Sequence, residues 1–224
     1  MTTVATKTFL FAGPTLARAL LIDPEVPLAD LILCPPIKRG DLPRITGQVP
    51  RGRAVIVDGL FHTEIAVGHR EIRTALERGW QVFGVSSMGA IRAREMASLG
   101  MRGFGEVYDL YCQEGVDFRD DEVTLAHGDA PDYRELSEPL VHIRVAAADL
   151  VRHGMLKESQ RGALIGELEE MWYAERTLAW LAARLRQVVS EDEARLAGFF
   201  AGFDRYRIKS LDLIRFLRSG LVAD

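Results

Sequence analysis

The sequence predicts an α/β protein: an open, mostly parallel sheet of about four to five strands with flanking helices, plus an all-helical C-terminal subdomain. Two observations predict this class. In the first half of the chain, short apolar runs alternate with segments of helical periodicity, a pattern typical of parallel sheets with crossover helices. After residue 155 the helical periodicity continues and no strand-like run follows. The sequence therefore indicates a Rossmann- or flavodoxin-like core domain over residues 1–155 and a helical subdomain over residues 156–224.

Four short apolar runs are the predicted strands, and each is followed by residues that suit a turn. The runs are Lys7–Ala12, Asp30–Cys34, Ala54–Val57 and Val82–Val85. Pro14 suits the first turn of a helix after the first run, and apolar residues at helical spacing predict a helix over Leu60–Arg78. The glycine-rich segment 100–105 is predicted to be a connector.

Composition and charge disfavour several classes of function. The 224 residues carry a formal net charge of −4, which gives no sign of a general nucleic-acid binder. The two cysteines, Cys34 and Cys112, offer neither a disulfide framework nor a zinc motif. No apolar run is long enough to cross a bilayer, and no secretory signal is visible. We therefore expect a cytoplasmic protein without a membrane partner.

The candidate for a metal site is a run of three acids, Asp120, Asp121 and Glu122. Carboxylates are suitable ligands for a divalent cation, but three adjacent acids are more typical of a solvated loop. We therefore expect neither a metal nor another cofactor. A nucleotide-dependent enzyme is also disfavoured, because the Gly13-Pro14 turn lacks the repeated glycines and the Lys-Ser/Thr ending of a phosphate loop.

The stretch Gln81–Leu99 is the strongest candidate for a functional site. A buried strand, a polar turn through Ser86, Ser87 and Gly89, and a helix are predicted here. The first N–H groups of a helix have no intrahelical partner and, together with the helix dipole, favour an anion. Arg92 lies one turn further on and could reach the same place. A serine at a helix start is otherwise most often only a cap.

Other polar residues follow the predicted strands at the same edge of the sheet. In open parallel sheets, ligands bind beyond the carboxyl ends of the strands, and Gly13, Asp58 and the Ser86-Ser87 pair fall there. The charged loop after the second strand contains Arg39 and Asp41, and its arginine could bind an anion. We therefore expect a single site at this edge.

Two histidines, His62 and His69, lie near one face of the helix predicted after the third strand. They are about 10 Å apart at the backbone, from a rise of about 1.5 Å per residue. This distance is too large for two histidines alone to chelate a metal. Either histidine is available as a general base.

The ordered motifs over roughly residues 8–150 resemble the TfuA-like family. The strongest motif is Ser86-Ser87-Met88-Gly89-Ala90-x-Arg92-Ala93-x-Glu95. The others, in chain order, are Phe11-x-Gly13-Pro14, Pro35-Pro36-x-x-Arg39-Gly40-Asp41, Asp58-Gly59-x-Phe61, His69-Arg70-Glu71-Ile72, Gly100-Met101, Asp121-Glu122-Val123 and Ser137-Glu138-Pro139-Leu140-Val141. Two positions depart from the family pattern: Arg70 stands where lysine is expected, and His142 where asparagine is expected.

The resemblance implies a protein that works beside a YcaO protein in peptide backbone thioamidation. It would accept a ubiquitin-fold, ThiS-like sulfur carrier with a C-terminal thiocarboxylate and release hydrosulfide for the YcaO reaction. For this function the expected catalytic residues are Ser87, His69, Asp58 and Arg92. The expected substrate-binding residues are Gly13, Pro14, Arg39, Asp41, His62, Ser86, Gly89 and Glu138.

Hydrolysis of a thiocarboxylate needs a nucleophile, a general base and stabilisation of the oxyanion. Ser87 could accept the acyl group, or only donate a hydrogen bond while water attacks. His69 or His62 would be the base, oriented by Asp58 or Glu71.

Three alternatives remain at the level of the sequence. They are a persulfide relay through Cys34, a non-catalytic adaptor that binds the carrier tail or the YcaO protein, and the nucleotide-dependent enzyme. The aromatic residues of the helical tail would also allow a homo-oligomer.

Overall fold

A computed structural model of the chain describes residues 6–60, 64–113, 119–189 and 193–222. Its architecture is α/β, with a five-stranded, all-parallel sheet in the order β2-β1-β3-β4-β5. The strands are β1 Thr8–Phe11, β2 Leu31–Cys34, β3 Arg53–Ile56, β4 Gln81–Val85 and β5 Arg102–Phe104. The predicted fold class is confirmed, and the fifth strand lies within the segment that was predicted to be a connector.

Ten α-helices occur among the described residues. They are α1 Pro14–Ile22, α2 Asp41–Gln48, α3 His69–Glu77, α4 Met88–Met96, α5 Glu106–Cys112, α6 Leu140–Arg152, α7 Glu158–Glu170, α8 Leu178–Val188, α9 Glu193–Ala201 and α10 Ile208–Arg218. None of these helices has the length and apolar character needed to cross a bilayer.

The helix predicted over Leu60–Arg78 begins only at His69. In the described part of the preceding loop, two backbone carbonyls bond to other elements and not to a following helical turn. The carbonyl of Ile65 accepts from the Arg39 amide at 2.9 Å, and that of Val67 accepts from the Arg92 side chain at 3.1 Å. These contacts come from distant parts of the chain, so the local periodicity could not reveal them.

The chain forms two compact units. The sheet unit consists of the described parts of 1–118 and 209–224, and the helical unit of those of 119–208. A boundary at residue 155, as predicted from the sequence, would assign two helices to the other unit. Helix α6 belongs to the helical unit, and α10 belongs to the sheet unit, because α10 buries Leu213, Phe216 and Leu217 in the same apolar cluster as strand residues.

In the sheet unit, alternate strand residues pack against helices on the two faces. Phe9, Phe11 and Ile56 share one cluster with apolar residues of α2, α3 and α4. Leu10 and Val55 share the other with apolar residues of α1 and α10. The strand order 2-1-3-4-5 places the reversal of winding between β1 and β3, and ligands of such sheets bind at this switch point.

The helical unit is stabilised by an apolar cluster and by arginines that bind acidic residues. Arg176, which is 1% exposed, donates to a carboxylate oxygen of Asp121 at 2.8 Å. Arg144 binds both carboxylate oxygens of Glu122, at 2.7–3.1 Å. Two of the three acids of the run, Asp121 and Glu122, are therefore bound by arginines. No group of three or more His, Cys, Asp or Glu side chains suitable for a metal occurs in the part of the chain that the structure describes.

Candidate functional site

The turn between β4 and α4 is fixed by Ser86. This serine follows β4, is fully buried and has a positive backbone φ of 67°. Its hydroxyl donates a hydrogen bond of 2.6 Å to the backbone carbonyl of Lys209 in the same unit. A residue other than glycine rarely adopts such a φ, at a cost of about 1 kcal/mol or more. The Ser86 hydroxyl is therefore committed to holding the turn.

Ser87 is the N-cap residue of α4, but its hydroxyl forms no cap bond with the helix, and the first turn contains no acidic side chain. The residue is 3% exposed. Within the described residues, the N–H groups of Ser87 and Met88 have no acceptor, whereas the N–H of Gly89 donates to the carbonyl of Val57 at 3.1 Å. An uncommitted hydroxyl and two amide donors therefore lie at the positive end of the α4 dipole.

The N-termini of α1, α2 and α5 differ from that of α4, because carboxylates of the chain itself bind there. Asp58 accepts from amides at the start of α1. Glu71 accepts from the amide that precedes α2, at 2.9 Å. Asp212 accepts from the first two amides of α5, at 2.9 Å each. Burial raises the pKa of Asp212 although these bonds and Arg215 oppose the shift.

Asp58, predicted to be catalytic, caps α1 from a distant part of the chain. Its Oδ2 accepts from the amides of Gly13 at 2.8 Å and Thr15 at 3.0 Å, and its Oδ1 accepts from the Thr15 hydroxyl at 2.6 Å. Pro14 stands between them at the start of the helix. The structure thus brings Gly13, Pro14 and Asp58 together, but this carboxylate is used in capping and binds no histidine among the residues that the structure describes.

A second polar cluster joins α3 to α4. His69 Nε2 lies 2.7 Å from Oε2 of Glu95, and the Arg92 guanidinium donates to the same oxygen at 2.6 Å. Partial burial would raise the pKa of Glu95, but the hydrogen bonds with His69 and Arg92 outweigh burial and hold the pKa below its usual value. Glu95 therefore stays a carboxylate and fixes both basic side chains.

Glu95 was not among the predicted site residues. Two signals in the sequence pointed to it: its position three residues after Arg92 on a helix, and its place in the strongest motif of the resemblance. His69 was expected to be oriented by Asp58 or Glu71. The structure pairs it with Glu95, because the other two carboxylates bind backbone amides at helix starts.

The structure separates Ser87 from this second cluster. Ser87 precedes the first residue of α4, and Glu95 lies near the end of the helix. A separation of eight positions along a helix corresponds to a rise of about 12 Å. The imidazole held by Glu95 is therefore not hydrogen bonded to Ser87, and the expected pairing of Ser87 with His69 as its base is not formed.

The loop after β2 is organised by its own residues. Asp41 begins α2 and accepts from the Lys38 amide at 3.0 Å and from the Arg44 guanidinium at 3.2 Å. Arg39 donates its backbone N–H to Ile65, and the residue is exposed. Asp41 is thus part of the loop structure, while the Arg39 side chain faces solvent. His62, the other predicted base, lies outside the described residues.

Glu138 belongs to the helical unit, where it forms a buried polar cluster. Its carboxylate lies 3.1 Å from Nδ1 of His142 and accepts from the Arg207 guanidinium. Burial would raise the pKa of Glu138, but the interactions with His142 and Arg207 outweigh it and lower the pKa. The structure therefore gives Glu138 a stabilising role within its own unit.

Cys34, the candidate for a persulfide relay, ends β2 and is partly buried. Burial raises the pKa of its thiol although the nearby Arg44 opposes the shift. Because the thiolate is the reactive form of cysteine, a raised pKa disfavours a nucleophilic role.

Together these features define a doubly wound α/β protein with an uncommitted helix N-terminus at the carboxyl edge of its sheet. A family model described as TfuA-like protein matches residues 58–177, more than half of the chain. The chain therefore belongs to the TfuA-like family. Among curated protein sequences, none was found to match it. Membership of this family suggests a role in YcaO-associated thioamidation.

Proposed function

We propose that this chain supplies sulfur for YcaO-dependent thioamidation of a peptide backbone by hydrolysing the C-terminal thiocarboxylate of a ubiquitin-fold, ThiS-like sulfur carrier. The observation that carries the proposal is the start of α4, where the Ser87 hydroxyl has no cap bond and two amides have no acceptor among the described residues. A thiocarboxylate is an anionic acyl group, so a helix N-terminus is a suitable place to bind it.

In the proposed reaction, the Ser87 oxygen attacks the thiocarboxylate carbon. A C–O bond forms, the C–S bond breaks, and the departing sulfur takes the serine proton and leaves as hydrosulfide. The amides of Ser87 and Met88 stabilise the negative oxygen of the tetrahedral intermediate. Water then hydrolyses the acyl-serine and releases the carrier with an ordinary carboxylate. If water attacks directly while Ser87 donates a hydrogen bond, the products are the same.

Hydrosulfide release from purified thiocarboxylated carrier tests the proposal. We expect the wild-type protein to release hydrosulfide and to convert the carrier to its carboxylate form. Ser87→Ala removes the reacting hydroxyl and should lower the rate by about 100-fold or more, the size of effect seen when one stabilising donor is lost. The matched control is Ser98→Ala, because Ser98 is an exposed serine on the 3-10 turn after α4, and its rate should equal that of the wild type.

The same assay separates hydrolysis from an adaptor role. Equal rates for the Ser87→Ala and Ser98→Ala variants, both folded by circular dichroism, would remove Ser87 from the mechanism. Carrier that stays thiocarboxylated with the wild-type protein, with or without the YcaO protein, would make this chain a non-catalytic adaptor.

A further inference from the structure

The outer side of α3 carries a cavity that the proposed reaction does not use. Its volume is about 590 Å³, within the range of ligand-binding pockets. Its walls are basic and polar side chains of α3 and one exposed leucine after α4. The lining residues are His69, Arg70, Arg73, Thr74, Glu77 and Leu99.

The arginines give this cavity an excess of positive charge. Arg73 forms an ion pair of 2.8 Å with Glu77, the single acid of the lining. The exposed Arg70 side chain has neither an ion pair nor a hydrogen bond within the described part of the chain. A guanidinium in this state can bind a carboxylate with two hydrogen bonds. Leu99, which is 51% exposed, adds an apolar contact to the same cavity.

His69 belongs both to the cavity and to the polar cluster that joins α3 to α4. It lines the cavity and also binds Glu95, which holds Arg92. From Glu95 to Ser87, α4 rises by about 12 Å, a distance that an extended peptide covers with about four residues. A peptide extended along α4 from Ser87 would therefore reach the level of Glu95 about four residues before its C-terminus.

We propose that this cavity is the docking site for the residues that precede the C-terminus of the sulfur carrier. The inference rests on the proposed function and specifies the chemistry of the partner. The carrier tail is extended, with an acidic side chain at Arg70 and an apolar side chain at Leu99. Arg92 and His69 are then positioning residues along the tail, and the reacting carbon lies at Ser87.

Binding of the carrier in its carboxylate form tests the cavity apart from the reaction. By isothermal titration calorimetry, Arg70→Glu should bind the carrier about tenfold more weakly than the wild type, the size of effect of one lost charge-assisted contact. Arg70→Lys should recover most of the affinity. The matched control is Arg152→Glu, the same charge change at an exposed arginine that ends α6 in the helical unit and does not line the cavity. It should bind like the wild type.

Turnover of the thiocarboxylated carrier gives a second readout. Because Arg70 contacts the tail and not the reacting atoms, Arg70→Glu should raise KM about tenfold and change kcat much less. Equal affinities of the Arg70→Glu and Arg152→Glu variants for the carrier would overturn the docking site even if the wild type releases hydrosulfide. Weaker binding by Arg70→Glu without hydrosulfide release by the wild type would retain the docking site and overturn the hydrolysis.

Discussion

Two neighbouring serines, Ser86 and Ser87, have different roles although the sequence presents them as a pair. Ser86 binds the carbonyl of Lys209, 123 residues further along the chain. Ser87 is the N-cap residue of α4 and makes no side-chain cap bond. The spacing of the motif predicted a polar turn before a helix, but it could not say which hydroxyl was committed, because the acceptor comes from a distant part of the chain. The pairing of His69 with Glu95 was missed for the same reason.

The buried carboxylate of Glu138 is expected to control the acid stability of the helical unit. Its pKa is below the usual 4.5, so its ionised form stabilises the folded chain above that pH, and the stabilisation is lost as the pH falls through the lowered pKa. Glu138→Gln removes one of the three carboxylates that pair with the buried Arg207, the others being Glu135 and Asp204. This change should cost about 2 kcal/mol at pH 7, the size of one buried charge-assisted interaction, and should reduce the loss of stability below pH 4.5.

Urea unfolding followed by circular dichroism between pH 7 and pH 3 measures this effect. The matched control is Glu170→Gln, because Glu170 is an exposed residue of α7 in the same unit. It should leave both the stability and its pH dependence unchanged. If Glu138→Gln and Glu170→Gln had the same urea midpoints at every pH, the proposed role of the buried pair would be wrong.

At the scale of elements, the contact of α4 with the sheet depends on two glycines. A Cβ atom on Gly84 would lie 2.0 Å from the Gly89 carbonyl oxygen, and one on Gly89 would lie 1.8 Å from the Ile56 carbonyl oxygen. Both neighbours are backbone atoms that cannot move away cheaply. The close packing places the N-terminus of α4 at the ends of β3 and β4, so these glycines position the candidate site.

Gly89→Ala should therefore destabilise the protein by about 3 kcal/mol or more through overpacking. Gly198→Ala is the control, because Gly198 lies in α9 and a Cβ there meets nothing within 4 Å. In that helix, alanine should stabilise the chain by about 0.5–1 kcal/mol. Chemical denaturation of the two variants measures these opposite shifts, and a neutral Gly89→Ala would show that α4 does not approach the sheet as closely as described.

Local patterns predicted four of the five strands because each of those four contains a short apolar run, although β2 at the edge of the sheet is not buried. They failed at β5 and at residues 64–68. Strand β5 consists of Arg102, Gly103 and Phe104. This composition is typical of a connector, and the segment is a strand because it pairs in parallel with β4. Residues 64–68 have helical spacing, but tertiary contacts use their carbonyls. In both places the local sequence pattern indicates the secondary structure that an isolated segment would prefer. It does not indicate the contacts with distant residues that decide the structure instead.

At the scale of the whole molecule, the chain returns to its sheet after the helical unit. The last helix, α10, was predicted to belong to the helical subdomain because it follows other helices. In the structure Phe216 is fully buried and packs on Phe83 of β4 and Phe104 of β5, with ring centroids 5.5 Å and 5.3 Å apart. Sequence order alone could not reveal this, because an apolar helix face does not specify which surface covers it.

Phe216→Ala tests this organisation by hydrogen exchange. Removing a buried phenylalanine should cost about 3–5 kcal/mol, so amides of β1, β3 and β4 should exchange faster while those of residues 119–208 keep their protection. Phe203→Ala is the matched control, because Phe203 is buried in the cluster of the helical unit, and it should give the reverse pattern. Faster exchange in α7 and α8 of the Phe216→Ala variant, with unchanged strands, would assign α10 to the helical unit. It would also remove the physical reason for Lys209 to lie at Ser86, and with it the restraint that fixes the start of α4.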